Sequence, residues 1–285
     1  MFEALGKPTI LSINRRSLLA GAAGLAVSCS IPASAQTAEP SQEKPTMTAS
    51  KRIVFIVSNP AKSPTNGMDI GFWLPELAHP WWAFNQKGYQ LTIASPRGGA
   101  VMHDRISDPD GGRFANPADL ISLGFKTAKP TREVIENTKP LSDIKVEDFD
   151  AIFLVGGLAP PVTFTNDEAL HKLFAAFYDA GKLSVALCHG SLVLLKARLA
   201  NGKLLAEGKS WTGYCNLEED VVDKAMGVKF QPYRIEDEAM KIPGTKFVQG
   251  TPYKPFAVTD GRLITGQQGS SGMLTAEHVI KAFEA

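Results

Sequence analysis

Four short apolar runs constrain this chain more than any other feature. Residues 52–58, 88–95, 150–155 and 183–187 are dense in Val, Ile, Leu and Phe, and each is bounded by Gly, Pro or Asp. Continuous apolar runs of this length, without polar alternation, fit strands covered on both faces, as in a parallel sheet. Helical patterns lie between them. Residues 167–180 place Leu170, Leu173, Phe174 and Phe177 on one face, with Gly181 positioned as a C-terminal cap. Residues 191–199 read as a second amphipathic helix, and 81–87 as a third, opened by Pro80 at its first position. Strands alternating with helices predict an α/β domain built on a mostly parallel sheet. Residues 98–116 are turn-rich and without period, a long loop suited to a lid or a dimer contact.

The N-terminus carries a different signature. Arg15-Arg16, a small apolar stretch over 20–27 and Ala33-Ser34-Ala35 form a secretory signal of the twin-arginine type. Cleavage is expected after Ala35, followed by a flexible linker over 36–50 and one catalytic domain over 51–285. The expected address is periplasmic or extracellular, with no membrane contact once the signal is removed. Thirty Lys and Arg against 29 Asp and Glu offer no concentrated basic surface, so no nucleic-acid partner is expected. Of three cysteines, Cys29 leaves with the signal. Cys188 and Cys215 are too few for a disulfide framework.

In an open parallel sheet, ligands bind beyond the carboxyl ends of the strands. Cys188-His189-Gly190 follows a buried strand directly and precedes a helical pattern. That is the arrangement of a nucleophile elbow, in which a sharp turn presents the side chain above a helix N-terminus. A helix N-terminus and a neighbouring imidazolium both lower a thiol pKa, so an activated thiolate is expected. A lone cysteine is otherwise a small buried hydrophobe. Gly156-Gly157 ends another strand. The Gly157 and His189 backbone N–H groups fit an oxyanion hole, although paired glycines also make a plain tight turn. Glu76 sits among Trp73, Leu74, Pro75 and Leu77, where desolvation would raise its pKa toward a proton-transfer role. It also fits a surface turn with a salt bridge. His171 and His278 fall on amphipathic patterns as surface residues, and His103 has no assigned part. Asp108-Pro109-Asp110 lacks the spacing of a calcium loop, so no metal is expected.

Together these residues resemble the ThiJ/PfpI superfamily of class I glutamine-amidotransferase-like proteins, and most nearly its heat-shock chaperone and glutathione-independent glyoxalase branch. The resemblance runs over about 52–285. It rests on Glu76 through Pro80, Ala94 through Gly99, Ala186 through Gly190, Glu207 through Glu219 and Val258 through Gln267. It implies a flavodoxin-like three-layer sandwich, a homodimer, no cofactor, and catalytic roles for Cys188, His189 and Glu76. A further acid orienting the histidine falls on Glu219 or Glu218, with spacing favouring Glu219. A solvated helix start also fits that pair. The branch commonly has Gly-Gly-His-Gly where this chain has Gly156-Gly157-Leu158-Ala159, a departure that bears on substrate. The resemblance implies a cysteine enzyme acting on small reactive carbonyls, of the glyoxalase III kind. A PfpI-type amidase or peptidase and a holdase chaperone are the alternatives. Cys215 reads as structural.

Overall fold

The computed structural model describes residues 50–285. The expected signal, and nearly all of the expected linker, lie outside them. Eight strands form one sheet: β1 (Arg52–Ile56), β2 (Gln90–Ser95), β3 (Arg97–Gly99), β4 (Thr138–Pro140), β5 (Ala151–Leu154), β6 (Leu183–Leu187), β7 (Ala257–Asp260) and β8 (Leu263–Gly266). Their spatial order is β7-β8-β6-β5-β1-β2-β4-β3. The inner pairs are parallel, and only the edge pairs β7–β8 and β3–β4 run antiparallel. The chain moves from β1 to β2 on one side and later fills β5 and β6 on the other. This reversal makes the carboxyl ends of β1 and β5 the switch point where a crevice opens.

Two apolar layers cover the sheet, and the pleat of the strands sorts residues between them. Ile53 and Phe55 of β1 and Ala151 and Phe153 of β5 face one layer. There they pack on Leu77, Ala78 and Phe84 of helix α1 (Leu74–Gln86) and on Ala276 and Val279 of helix α4 (Gly272–Glu284). Val54, Ile56, Ile152 and Leu154 face the other layer, against Leu170, Phe174 and Phe177 of helix α2 (Glu168–Asp179). All of these side chains are buried. At about 1.5–3 kcal/mol for each large side chain withdrawn from water, this double burial dominates the stabilising terms. Asp167 caps α2 by accepting from the Leu170 N–H, and Gly181 follows the helix with φ 78°.

Three local expectations are corrected. Helix α1 begins at Leu74, not Trp81, so Pro80 lies inside it and cannot donate to the Glu76 carbonyl. The earlier Pro75 occupies the opening turn, and the turn is anchored from outside. The Trp73 N–H donates to the Gly156 carbonyl (3.1 Å), and the Leu74 N–H to Ser107 Oγ (3.1 Å). Residues 191–199 are not an amphipathic surface helix. Cys188–Leu195 winds as a 3-10 segment with Ser191 through Leu194 fully enclosed. Its apolar residues cover all sides because the segment is sandwiched within the core. His171 is buried rather than at the surface, and its Nε2 contacts the Phe164 carbonyl at 2.8 Å.

Candidate active site

The elbow forms where β6 ends. Leu187 is still extended, and at Cys188 the backbone turns to φ 55°, a left-handed value that costs a side-chain-bearing residue about 1–3 kcal/mol. Its surroundings hold it there. Ser191 Oγ donates to the Cys188 carbonyl at 2.7 Å. Gly190 passes so close to β5 that a Cβ would stand 2.9 Å from the Leu154 carbonyl oxygen. The elbow therefore needs a glycine at position 190 for space.

Two groups meet at the thiol, His189 and Glu76. The Nδ1 of His189 lies 3.5 Å from Cys188 Sγ, and its Nε2 lies 3.0 Å from Glu219 Oε1. The Tyr214 ring packs over the imidazole with centroids 4.4 Å apart. Glu76 arrives from the first turn of α1, fully buried, with Oε2 accepting from the Gly156 N–H at 2.8 Å. Its Oε1 has no conventional partner. The thiol is close enough that the two groups bias each other's protonation. Gly156 must lack a side chain here, because a Cβ would stand 2.6 Å from Glu76 Oε2 and 2.8 Å from Cys188 Cβ.

The electrostatics correct the expectation of an activated thiolate. Burial pushes the Cys188 thiol well above its ordinary range, and the adjacent Glu76 carboxyl pushes it further. The His189 backbone N–H works in the opposite direction and does not win. Burial likewise raises Glu76 to about 8, against the pull of the Cys188 and Gly156 hydrogen bonds. In the resting site, acid and thiol both favour their protonated forms, and a proton is available for transfer near neutral pH.

The neighbouring glutamates separate cleanly. Both are buried in the first turn of helix α3 (Asn216–Met226), so neither is a solvated helix start. Glu219 turns to His189. Glu218 accepts from the Tyr253 N–H (2.8 Å) and from Gln267 Nε2 (3.0 Å), and its Oε2 lies 3.4 Å from Cys215 Sγ. Cys215 is buried and free, as is Cys188. His79 points away from the thiol, pairing with Asp119 at 2.9 Å. Gly157 lines the pocket, while the Gly156 N–H is committed to Glu76. The Gly156 N–H is therefore not available to a developing oxyanion.

Residues without a sequence signal complete the site. Asp104, in the long loop, is buried and bridges two walls: Oδ1 accepts from the Gly71 N–H (2.7 Å) and Oδ2 from the Leu158 N–H (2.8 Å). Burial raises its carboxyl to about 8. Tyr253 sits at the rim with φ 59°, its hydroxyl donating to the Glu218 carbonyl at 3.1 Å. These residues lie in aperiodic loops, where no pattern marks them. The thiol, Glu76 and His189 face a mostly enclosed cavity of about 290 Å³, at the lower end of small-molecule sites. Among the described residues no cluster of His, Cys, Asp and Glu is arranged to hold a metal ion.

Fold and site together define an α/β protein with a buried cysteine on a nucleophile elbow. The chain belongs to the DJ-1/PfpI family, which it matches over residues 71–282. It is 30% identical to glyoxalase 3 of Candida albicans over 77% of this chain and 92% of that protein. It is 24% identical to the glutathione-independent glyoxalase HSP31 of Saccharomyces cerevisiae, again over 77% and 92%. The crystal structure of glyoxalase III from Candida albicans superposes with a TM-score of 0.69 at 27% identity, covering 81% of this chain and 97% of that one. The Rapid Encystment Protein 24 kDa of Francisella tularensis shares the fold at TM-score 0.73 and 23% identity, covering 81% and 98%.

Proposed function

We propose that this protein is a glutathione-independent glyoxalase, converting a 2-oxoaldehyde and water to a 2-hydroxy acid without a cofactor. The Cys188 sulfur adds to the aldehyde carbon while its proton passes to the carbonyl oxygen, giving a hemithioacetal. Glu76, in its carboxylate form, removes the proton from the carbon now bearing sulfur and returns it to the adjacent carbonyl carbon through an enediolate. One carbon is oxidised and its neighbour reduced, so no external electron acceptor is needed. The product of this step is a 2-hydroxy thioester. His189 presents Nε2–H to Glu219, which leaves the Nδ1 lone pair facing the thioester to activate water. Hydrolysis releases the acid and regenerates the thiol, with the Gly157 N–H positioned for the oxyanion.

The observation that carries this reading is the placement of one thiol between a buried carboxyl poised near neutrality and a carboxylate-oriented imidazole, at a small enclosed pocket. The likeness to named glyoxalases supports it. The test is lactate formation from methylglyoxal by the purified protein and by Cys188→Ser, without added thiol. Turnover that disappears in the variant upholds the proposal. Turnover retained in the variant overturns it, as does a native protein that turns over no 2-oxoaldehyde. Under the same proposal, the twin-arginine signal over residues 1–35 puts the reaction outside the cytoplasm, where independence from glutathione is useful.

A further inference from the structure

The pocket wall opposite in character to the reacting groups is a single apolar surface assembled from distant parts of the chain. Leu158, which follows β5, is 5% exposed and belongs to a cluster with Ile70, Ala159 and Phe230. Ile106 from the long loop and Val222 from α3 pack against that cluster. Leu158, Ile106 and Val222 also line the cavity that holds Cys188. No lysine or arginine lines it among the described residues, while Glu76 does, with Glu219 and Glu218 buried close behind His189 and Tyr253. A substrate with a carboxylate or phosphate substituent would meet acidic groups and no cation.

Size narrows the class further. A cavity of about 290 Å³ far exceeds the volume of methylglyoxal, which has about five non-hydrogen atoms. It leaves room for a phenyl-sized or branched alkyl substituent beside the two reacting carbons. A small substrate leaves the Leu158–Ile106–Val222 wall facing water, whereas an aromatic or branched alkyl substituent covers it.

Building on the glyoxalase reading above, we infer that this site is selective for neutral 2-oxoaldehydes bearing a bulky apolar substituent, about the size of a phenyl ring. Phenylglyoxal and water give mandelate by the same internal transfer, so no further reactant is required.

The experiment compares kcat/KM for phenylglyoxal, read as mandelate, with that for methylglyoxal, read as lactate. It uses the native protein, Leu158→Phe and Val222→Phe. The native protein is expected to favour phenylglyoxal by about tenfold or more, the scale on which apolar pockets discriminate. Each larger side chain fills the wall, and the ratio should fall by about fivefold or more. Val222 is half-buried, so Val222→Phe carries the test if the more deeply buried Leu158→Phe does not fold. A native preference for methylglyoxal, or a ratio unmoved in the folded variants, overturns the selectivity while leaving the glyoxalase reading intact. Absence of turnover with either substrate overturns that reading and the selectivity with it.

Discussion

Glu76 and Gly156, 80 residues apart, are joined by a 2.8 Å hydrogen bond from the Gly156 N–H to Glu76 Oε2 inside a fully buried site. The bond ties the first turn of α1 to the end of β5, while the other carboxyl oxygen, Oε1, has no conventional hydrogen-bond partner. It fixes where the acid stands without neutralising it, because a backbone amide carries no net charge.

Glu76→Gln keeps an oxygen for the Gly156 N–H and removes the proton acceptor. The expected result is a fall in kcat of about 10²–10⁴ with little change in folding, measured by steady-state kinetics beside circular dichroism. In the native protein the basic form of Glu76 appears as pH rises through about 8, so kcat/KM should climb across that range. Removing the acid also removes a group that raises the thiol pKa. Alkylation of Cys188 by iodoacetamide should therefore reach its midpoint at lower pH in the variant. An unshifted midpoint would contradict the coupling.

Asp104→Asn should destabilise the protein and loosen the pocket together. Both carboxyl oxygens accept backbone N–H groups, and an amide offers only one acceptor oxygen, so one buried donor loses its partner at a cost of about 1–3 kcal/mol. The native carboxyl is raised from 3.8 to about 8, so the folded state holds a proton that the unfolded chain releases. That stability is fully present below about pH 4 and is lost as pH rises through about 8. Urea melts at pH 5 and pH 8 should show the native protein weaker at the higher value, with a smaller difference in Asp104→Asn.

Gly190→Ala places a Cβ 2.9 Å from the Leu154 carbonyl oxygen and 3.2 Å from two backbone carbons, with only backbone to give way. A loss of about 1–3 kcal/mol is expected, together with reduced turnover as the elbow is displaced. At roughly 2–4 °C per kcal/mol for a domain of this size, thermal melting resolves the change. A melting point unchanged within a degree would show that the elbow tolerates bulk there.

Glu219→Gln and Glu218→Gln should separate by kinetic parameter. The first removes the charge that orients and stabilises His189, so kcat should fall by about tenfold or more. The second loosens the Tyr253 turn at the pocket rim, which should appear mainly in KM. Equal effects on the same parameter would show that the adjacent acids act as one unit.

The elbow was legible because three consecutive residue types after a buried run have few structural uses in common. Glu76 was legible through its apolar neighbours, although the helix was expected to begin seven residues too late. The signal read at Pro80 belonged to Pro75: prolines mark helix starts, and the local pattern does not say which of two neighbouring prolines does so. Asp104, Tyr214 and Tyr253 were not legible as site residues. They reach the thiol's surroundings through folding of loops that have no periodicity, and their partners are distant backbone atoms.

By itself, the sequence determined the strand runs, the α/β class and the turn at Cys188, because periodicity and local residue chemistry encode these at short range. An acid for His189 at Glu219 or Glu218 came only from the family resemblance. Tertiary structure alone decided which glutamate faces His189 and that the thiol is raised rather than lowered. It also decided that Leu158, Ile106 and Val222 share one wall. Each of these depends on burial and on groups brought together from remote segments. Desolvation and long-range contact arise only when the layers close over the sheet.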